Sequence, residues 1–157
     1  MTTRDELARH TNEFFVRHWS SVDGPAPSWD FTWGWRGAVP NYLLGGLYAL
    51  FRKGELVYIG LGSSRGGGIY VDRGISRRLL SHVMRVAQDG ESYVPRERWR
   101  DLEVDSIGTI GFPMALNYLA PALEDYLIGR LNPPENTVKR RGGAGPDPAN
   151  EKAVCAQ

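Results

Sequence analysis

The chain has 157 residues, 41% hydrophobic and 24% charged, with a formal net charge of +1. That is enough for one domain around one hydrophobic core. No apolar run approaches the ~20 residues of a membrane-spanning helix, so no membrane partner is expected. Met1 to His10 is polar and carries acids, unlike a secretory signal. The single cysteine, Cys155, has no partner for an internal disulfide, and a reducing cytoplasmic location is expected.

Residues 4–19 read as an amphipathic helix with Leu7, Phe14, Phe15 and Trp19 on its apolar side. Residues 20–41 form a Pro/Gly/Trp-rich connector, whose Trp29, Trp33 and Trp35 are expected to pack, with base stacking as the sharper alternative. Gly46–Arg52 and Glu55–Gly60 read as strands joined by a short Gly-containing hairpin turn, Arg52-Lys53-Gly54. A Gly-rich loop follows, Leu61 to Gly74. It lacks the Gly-Lys-Ser/Thr of a P-loop and the Gly-x-Gly-x-x-Gly of a dinucleotide site, which excludes nucleotide binding by those routes.

Ile75–Ala87 reads as a helix with Ile75, Leu79, Val83 and Val86 on its buried stripe. Residues 88–102 read as a polar loop, and Val104–Phe112 as a third strand, weakened by Gly108 and Gly111. Met114–Leu131 carries the strongest helical periodicity, with Leu116, Leu119, Leu123, Leu127 and Leu131 in register, and Pro133-Pro134 ends it. The Gly/Pro/Ala-rich tail after Arg141 reads as disordered. The order helix, two strands, helix, strand, helix predicts an α+β domain: a small antiparallel three-stranded sheet flanked by helices, with an N-terminal helical extension. The expected divisions are an extension (1–44), a core domain (45–138) and a basic, then flexible tail (139–157).

The near-neutral net charge conceals a local excess. Ser63 to Ala87 holds five arginines (Arg65, Arg73, Arg77, Arg78, Arg85) against one acid, Asp72, a local +4. Lys139-Arg140-Arg141 forms a second basic cluster. Such clusters pair with phosphates, and a solvated basic surface explains them equally well. Glu124 borders the apolar face made by Ala120, Leu127, Ile128 and Leu131. It either reaches solvent at the helix boundary or is buried with a partner or a cation. Arg78 and His82, four apart, share a helix face. They suit either a phosphate site or a surface arginine beside a half-buried histidine. No Cys/His cluster for zinc and no nucleophilic triad is apparent.

Taken together, these residues resemble the GIY-YIG nuclease family. Gly46-Leu47-Tyr48 matches the first motif, with Leu for the usual Ile, and Tyr58-Ile59-Gly60 the second. Gly74-Ile75-Ser76-Arg77-Arg78-Leu79-Leu80-Ser81-His82 matches the helix motif. Glu124, in Ala122-Leu123-Glu124-Asp125-Tyr126-Leu127-Ile128, matches the metal-binding glutamate. Asn136, in Asn132-Pro133-Pro134-Glu135-Asn136, matches the family asparagine. The match spans Gly45 to Val138. The segment between Gly60 and Arg78 is longer than in compact members and is expected to help recognise DNA or form a homodimer.

The resemblance implies a metal-dependent DNA endonuclease that hydrolyses phosphodiester bonds. It implies one Mg²⁺ or Mn²⁺ held mainly by Glu124, and catalytic roles for Tyr48, Tyr58, Arg78, His82, Glu124 and Asn136. Arg78 would neutralise a non-bridging oxygen, and Asn136 would position Glu124 or the phosphate. Tyr48 is favoured as general base, with Tyr58 orienting the water or phosphate. Arg65, Arg73 and Arg77 are expected to contact DNA. The alternative is a GIY-YIG-like module that binds nucleic acid without cutting it.

Overall fold

The structure, a computed structural model, describes residues 1–62 and 74–137. The first helix, α1 (Arg4–His18), starts at a reciprocal cap. The Thr3 side chain accepts from the Glu6 amide while the Glu6 carboxylate accepts from the Thr3 amide, satisfying two donors that the helix itself leaves open.

Strands β1 (Gly45–Arg52) and β2 (Glu55–Leu61) form an antiparallel hairpin. Its turn places Lys53 at φ 48° and Gly54 at φ 79°, the paired positive φ values that match the twist of a tight hairpin. Strand β5 (Ser106–Phe112) pairs antiparallel with the other side of β1, giving the order β2-β1-β5. The domain is thus α+β around the expected three-stranded antiparallel sheet. As the middle strand, β1 is buried nearly throughout, which explains its unbroken apolar run. Gly108 does not weaken β5: a side chain there would collide with the Phe31 ring, which lies over it.

The two faces of the sheet carry separate cores. On one, Leu47, Ala49, Phe51, Leu56, Ile59 and Ile110 pack against Leu7, Phe14 and Phe15 of α1 and Leu123, Leu127 and Ile128 of α4 (Leu119–Leu131). On the other, Tyr48, Leu50 and Val57 meet Ile75 and Leu79 of α2 (Gly74–His82), together with Trp33 and Trp99. Residues 1–44 are therefore part of the core rather than an appendage. The connector tryptophans serve packing, as expected. Trp33 is buried, and the indole N–H groups of Trp29 and Trp35 donate to Thr11 and to the Asp105 carbonyl.

Three sequence-based expectations need correction. The helix expected over 75–87 ends at His82, and Met84–Val86 forms β3, paired with β4 (Tyr93–Pro95). Val86 is 54% exposed rather than on a buried stripe. The chain turns into a β3–β4 hairpin instead: the Asp89 carboxylate accepts from the amides of Glu91 and Ser92 and from the Ser92 hydroxyl, which shapes the turn between the two strands. The span 88–102, read as a polar loop, instead holds β4 and α3 (Glu97–Asp101) with a buried Trp99. The helix expected from Met114 begins at Leu119, after a separate 3-10 turn at Met114–Leu116. Pro121 sets that boundary: without an N–H it fits only the first turn. At the far end Asn132 adopts φ 53° and closes the helix, immediately before Pro133. The Lys139-Arg140-Arg141 cluster and the tail lie outside the described residues.

Leu7 is fully buried between α1 and the sheet. Leu7→Ala is expected to cost about 2–5 kcal/mol of global stability and to lower one cooperative urea transition. An unchanged midpoint for the sheet signal would mean that α1 is an independent appendage.

Candidate functional site

Within the sheet, one side of β2 pairs with β1 and the other faces away from the sheet. The chain leaving α4 covers that outer edge. The Glu135 amide donates to the Val57 carbonyl at 3.0 Å. One residue on, the Asn136 side chain accepts from the Ile59 amide at 2.9 Å and donates to the Ile59 carbonyl at 2.8 Å. The side-chain amide thus mimics a neighbouring strand. A pocket of about 270 Å³ opens at this edge, lined by Tyr58, Ile59, Arg98, Glu124, Ile128, Glu135, Asn136 and Thr137. An edge site explains how α4, which packs on one face of the sheet, meets Tyr58, which belongs to the other.

Tyr48 and Tyr58 share a face because Tyr48 pairs with Gly60 and Leu50 with Tyr58 in the register. Their rings lie 6.0 Å apart. Gly60 is required here, since the Tyr48 ring lies where a side chain at 60 would begin. Tyr48 is 1% exposed. Burial, and secondly the neighbouring Tyr58, push its pKa well above the ordinary 10.0, while Arg78 pulls the other way. The Arg78 charge is close enough to act on Tyr48, so α2 brings its arginine near the tyrosine pair.

Arg78 and His82 are both solvent-exposed on α2. Although His82 is exposed as a residue, desolvation of its ring, followed by the charges of Arg78 and Arg96, holds its pKa below 6.5. The ring is therefore neutral at pH 7 and able to accept a proton. Glu124 is buried, 8% exposed, which decides between the two readings of its place on α4: it lies within the fold and faces the pocket.

The expected residues therefore fall into one neighbourhood. Glu124 and Tyr58 line the pocket, Tyr48 adjoins Tyr58, Arg78 adjoins Tyr48, and His82 adjoins Arg78. Asn136 is there too. Both ends of its amide bond Ile59, so it fastens the strand that carries Tyr58. Arg77 is exposed on the same helix; Arg65 and Arg73 lie outside the described residues.

Sequence reasoning missed Glu135 and Arg98, which also line the pocket, and Trp99, whose ring lies 4.9 Å from that of Tyr58. Glu135 stood inside the quoted Asn-Pro-Pro-Glu-Asn motif. Arg98 and Trp99 stood in a span read as loop, where the alternation Arg96, Arg98, Arg100 around a single tryptophan was the available signal.

Two carboxylates at one pocket, one of them buried, suit a hard divalent cation that takes oxygen ligands. Among the described residues no three His, Cys, Asp or Glu side chains converge. An ion held by Glu124 would therefore keep much of its water, as Mg²⁺ does.

Asn136→Ala should destabilise the fold by about 1–3 kcal/mol, because it leaves two buried backbone groups of Ile59 unsatisfied; urea denaturation measures this. Tyr48 supports a second test. Its raised folded-state pKa means that its stabilising contribution is complete below pH 10 and is lost as pH rises beyond that value. The wild-type protein should lose more stability between pH 8 and pH 11 than Tyr48→Phe does. Equal losses would show that Tyr48 ionises in the folded protein as freely as in the unfolded chain.

Comparison of the chain with protein-family models, with curated proteins and with solved structures finds no match.

Proposed function

We propose that this chain is a GIY-YIG-type, metal-dependent DNA endonuclease. The observation that carries the reading is the meeting of Glu124 and Tyr58 in one pocket, with Tyr48, Arg78 and His82 adjoining it. A buried carboxylate that shares a pocket with a tyrosine and an arginine is the kind of grouping found at functional sites. Phosphate partners are supported by the exposed arginines Arg77, Arg78, Arg85 and Arg98 on α2, β3 and α3.

Hydrolysis of a phosphodiester requires a deprotonated water, neutralised charge at the phosphorus and a stabilised leaving oxygen. Glu124, with Glu135 beside it, would hold a divalent ion, which would supply Lewis acidity when bound. Arg78, exposed and fixed to α2, donates charge-assisted hydrogen bonds to a non-bridging oxygen.

Tyr58 is better placed than Tyr48 to act as base. Tyr48 is enclosed and its phenol is held protonated, whereas Tyr58 is half-buried and lines the pocket. Tyr58 therefore takes the proton of the attacking water. Tyr48, its ring 6.0 Å from that of Tyr58, would donate a hydrogen bond beside the reacting water or to the Tyr58 oxygen. Asn136 keeps Tyr58 in place by fixing the adjacent Ile59.

Single-turnover cleavage of a DNA duplex with Mg²⁺ tests this assignment. Tyr58→Phe should lose roughly 10²–10⁴ in rate, as for a missing general base. Tyr48→Phe should lose about fivefold, the equivalent of one hydrogen bond of ~1 kcal/mol. The reverse order would restore Tyr48 as base. Glu124→Gln should bind DNA but not cut it, and substantial Mg²⁺-dependent cleavage by that variant would refute the metal-ligand role.

A further inference from the structure

Arg98 stands on the wall of the pocket that holds Glu124 and Tyr58, carried there by α3, a helix outside every motif that suggested the site. Its guanidinium lies over the Trp99 ring, 4.3 Å from the centroid. Trp99 is itself a fixed platform. It is 2% exposed, its indole N–H donates to the His82 carbonyl at 2.8 Å, and its ring meets Tyr58. Stacking of this kind fixes the plane of the guanidinium and leaves its edge donors pointing outward, the geometry that grips a phosphate with two parallel bonds.

The local charge supports a ligand-binding role. Glu124 and Glu135 both face the pocket and together would repel an approaching phosphodiester. Among the described residues lining the pocket, Arg98 is the cation, while Arg78 serves the Tyr48 side. The Arg98–Glu135 ion pair is 4.0 Å long, with the arginine side chain 60% exposed. A contact so long and so solvated adds little to the fold and is readily exchanged for a phosphate oxygen.

We propose that Arg98, stacked on Trp99, is a DNA-contacting residue that holds a backbone phosphate at the Glu124 side of the pocket, releasing Glu135 as it does so. The assignment rests on the nuclease reading above. It gives the tyrosine pair an arginine on either side: Arg78 through Tyr48, and Arg98 through Trp99.

The test is binding of a labelled DNA duplex to the full chain in EDTA, across a salt series. Arg98→Gln should weaken binding roughly tenfold, as for one charge-assisted contact, and reduce the salt slope by about one. Arg100→Gln, on the same helix but paired with Asp101, should change neither. Glu135→Gln should tighten binding, because it frees the guanidinium; a purely structural ion pair would instead give both partner variants the same loss of stability and no gain in affinity. Should Arg98→Gln lower the urea midpoint, Arg98→Lys decides the matter: a phosphate contact predicts recovery of the salt slope without full recovery of affinity. Wild-type affinity and slope in Arg98→Gln, or a loss no larger than that of Arg100→Gln, would overturn the role of Arg98 and leave the nuclease reading standing. Failure of the wild-type protein to bind DNA at any salt would overturn both.

Discussion

The hydrogen bonds between the Asn136 amide and Ile59 hold the candidate site together. A strand edge leaves backbone donors and acceptors that must be satisfied or exposed. Here the chain leaving α4 satisfies them, through the Glu135 amide at Val57 and the Asn136 side chain at Ile59. The closure has a geometric consequence. Only thirteen positions separate Glu124 from Thr137, and both line the same pocket with Tyr58. Tying the segment after α4 to β2 therefore ties the glutamate-bearing helix to the tyrosine-bearing strand. Pro133, buried immediately after the left-handed Asn132, forces the chain to leave the helix axis and turn toward that edge.

The electrostatics follow from where each group sits relative to the edge. Tyr48 is inside the second core and keeps its proton; Tyr58, two residues from the pairing partner of Tyr48, reaches the pocket. The arginines come from elements packed on the outside of the same face, α2 and α3, so they supply positive charge without being buried themselves. Glu124 comes from the opposite face and is buried. The carboxylate and the tyrosine thus approach the pocket from different layers of the fold, which meet at the outer edge of β2.

The sheet and the main helices were legible in the sequence because their patterns are strong: the continuous apolar run of β1, the Lys53-Gly54 turn, and the leucine register of α4 ended by Pro133. The residues of the site were legible through motif spacing, with Gly60 and Tyr48 now joined by a physical reason, since the tyrosine ring occupies the space a side chain at 60 would need. What was not legible depended on contacts distant in sequence or on local turn chemistry. The apolar period runs on to Val86, but the chain there pairs as β3 with β4 across a turn shaped by Asp89. Pro121 trims α4, although the leucine pattern runs past it toward the N-terminus. The commitment of Asn136 to Ile59 spans 77 positions and has no local signature. Arg98 and Trp99 belonged to a span too short and polar to show a period, so their convergence on Tyr58 was visible only in three dimensions.

The proposed hydrolysis of phosphodiesters at the β2 edge has a direct readout in the wild-type chain incubated with supercoiled plasmid, with Mg²⁺ and with EDTA. Conversion to nicked or linear plasmid is expected with Mg²⁺ and none with EDTA. Plasmid that remains supercoiled with Mg²⁺ and with Mn²⁺, under conditions where the folded protein binds it, would contradict the claim and leave a nucleic-acid-binding module that does not cut.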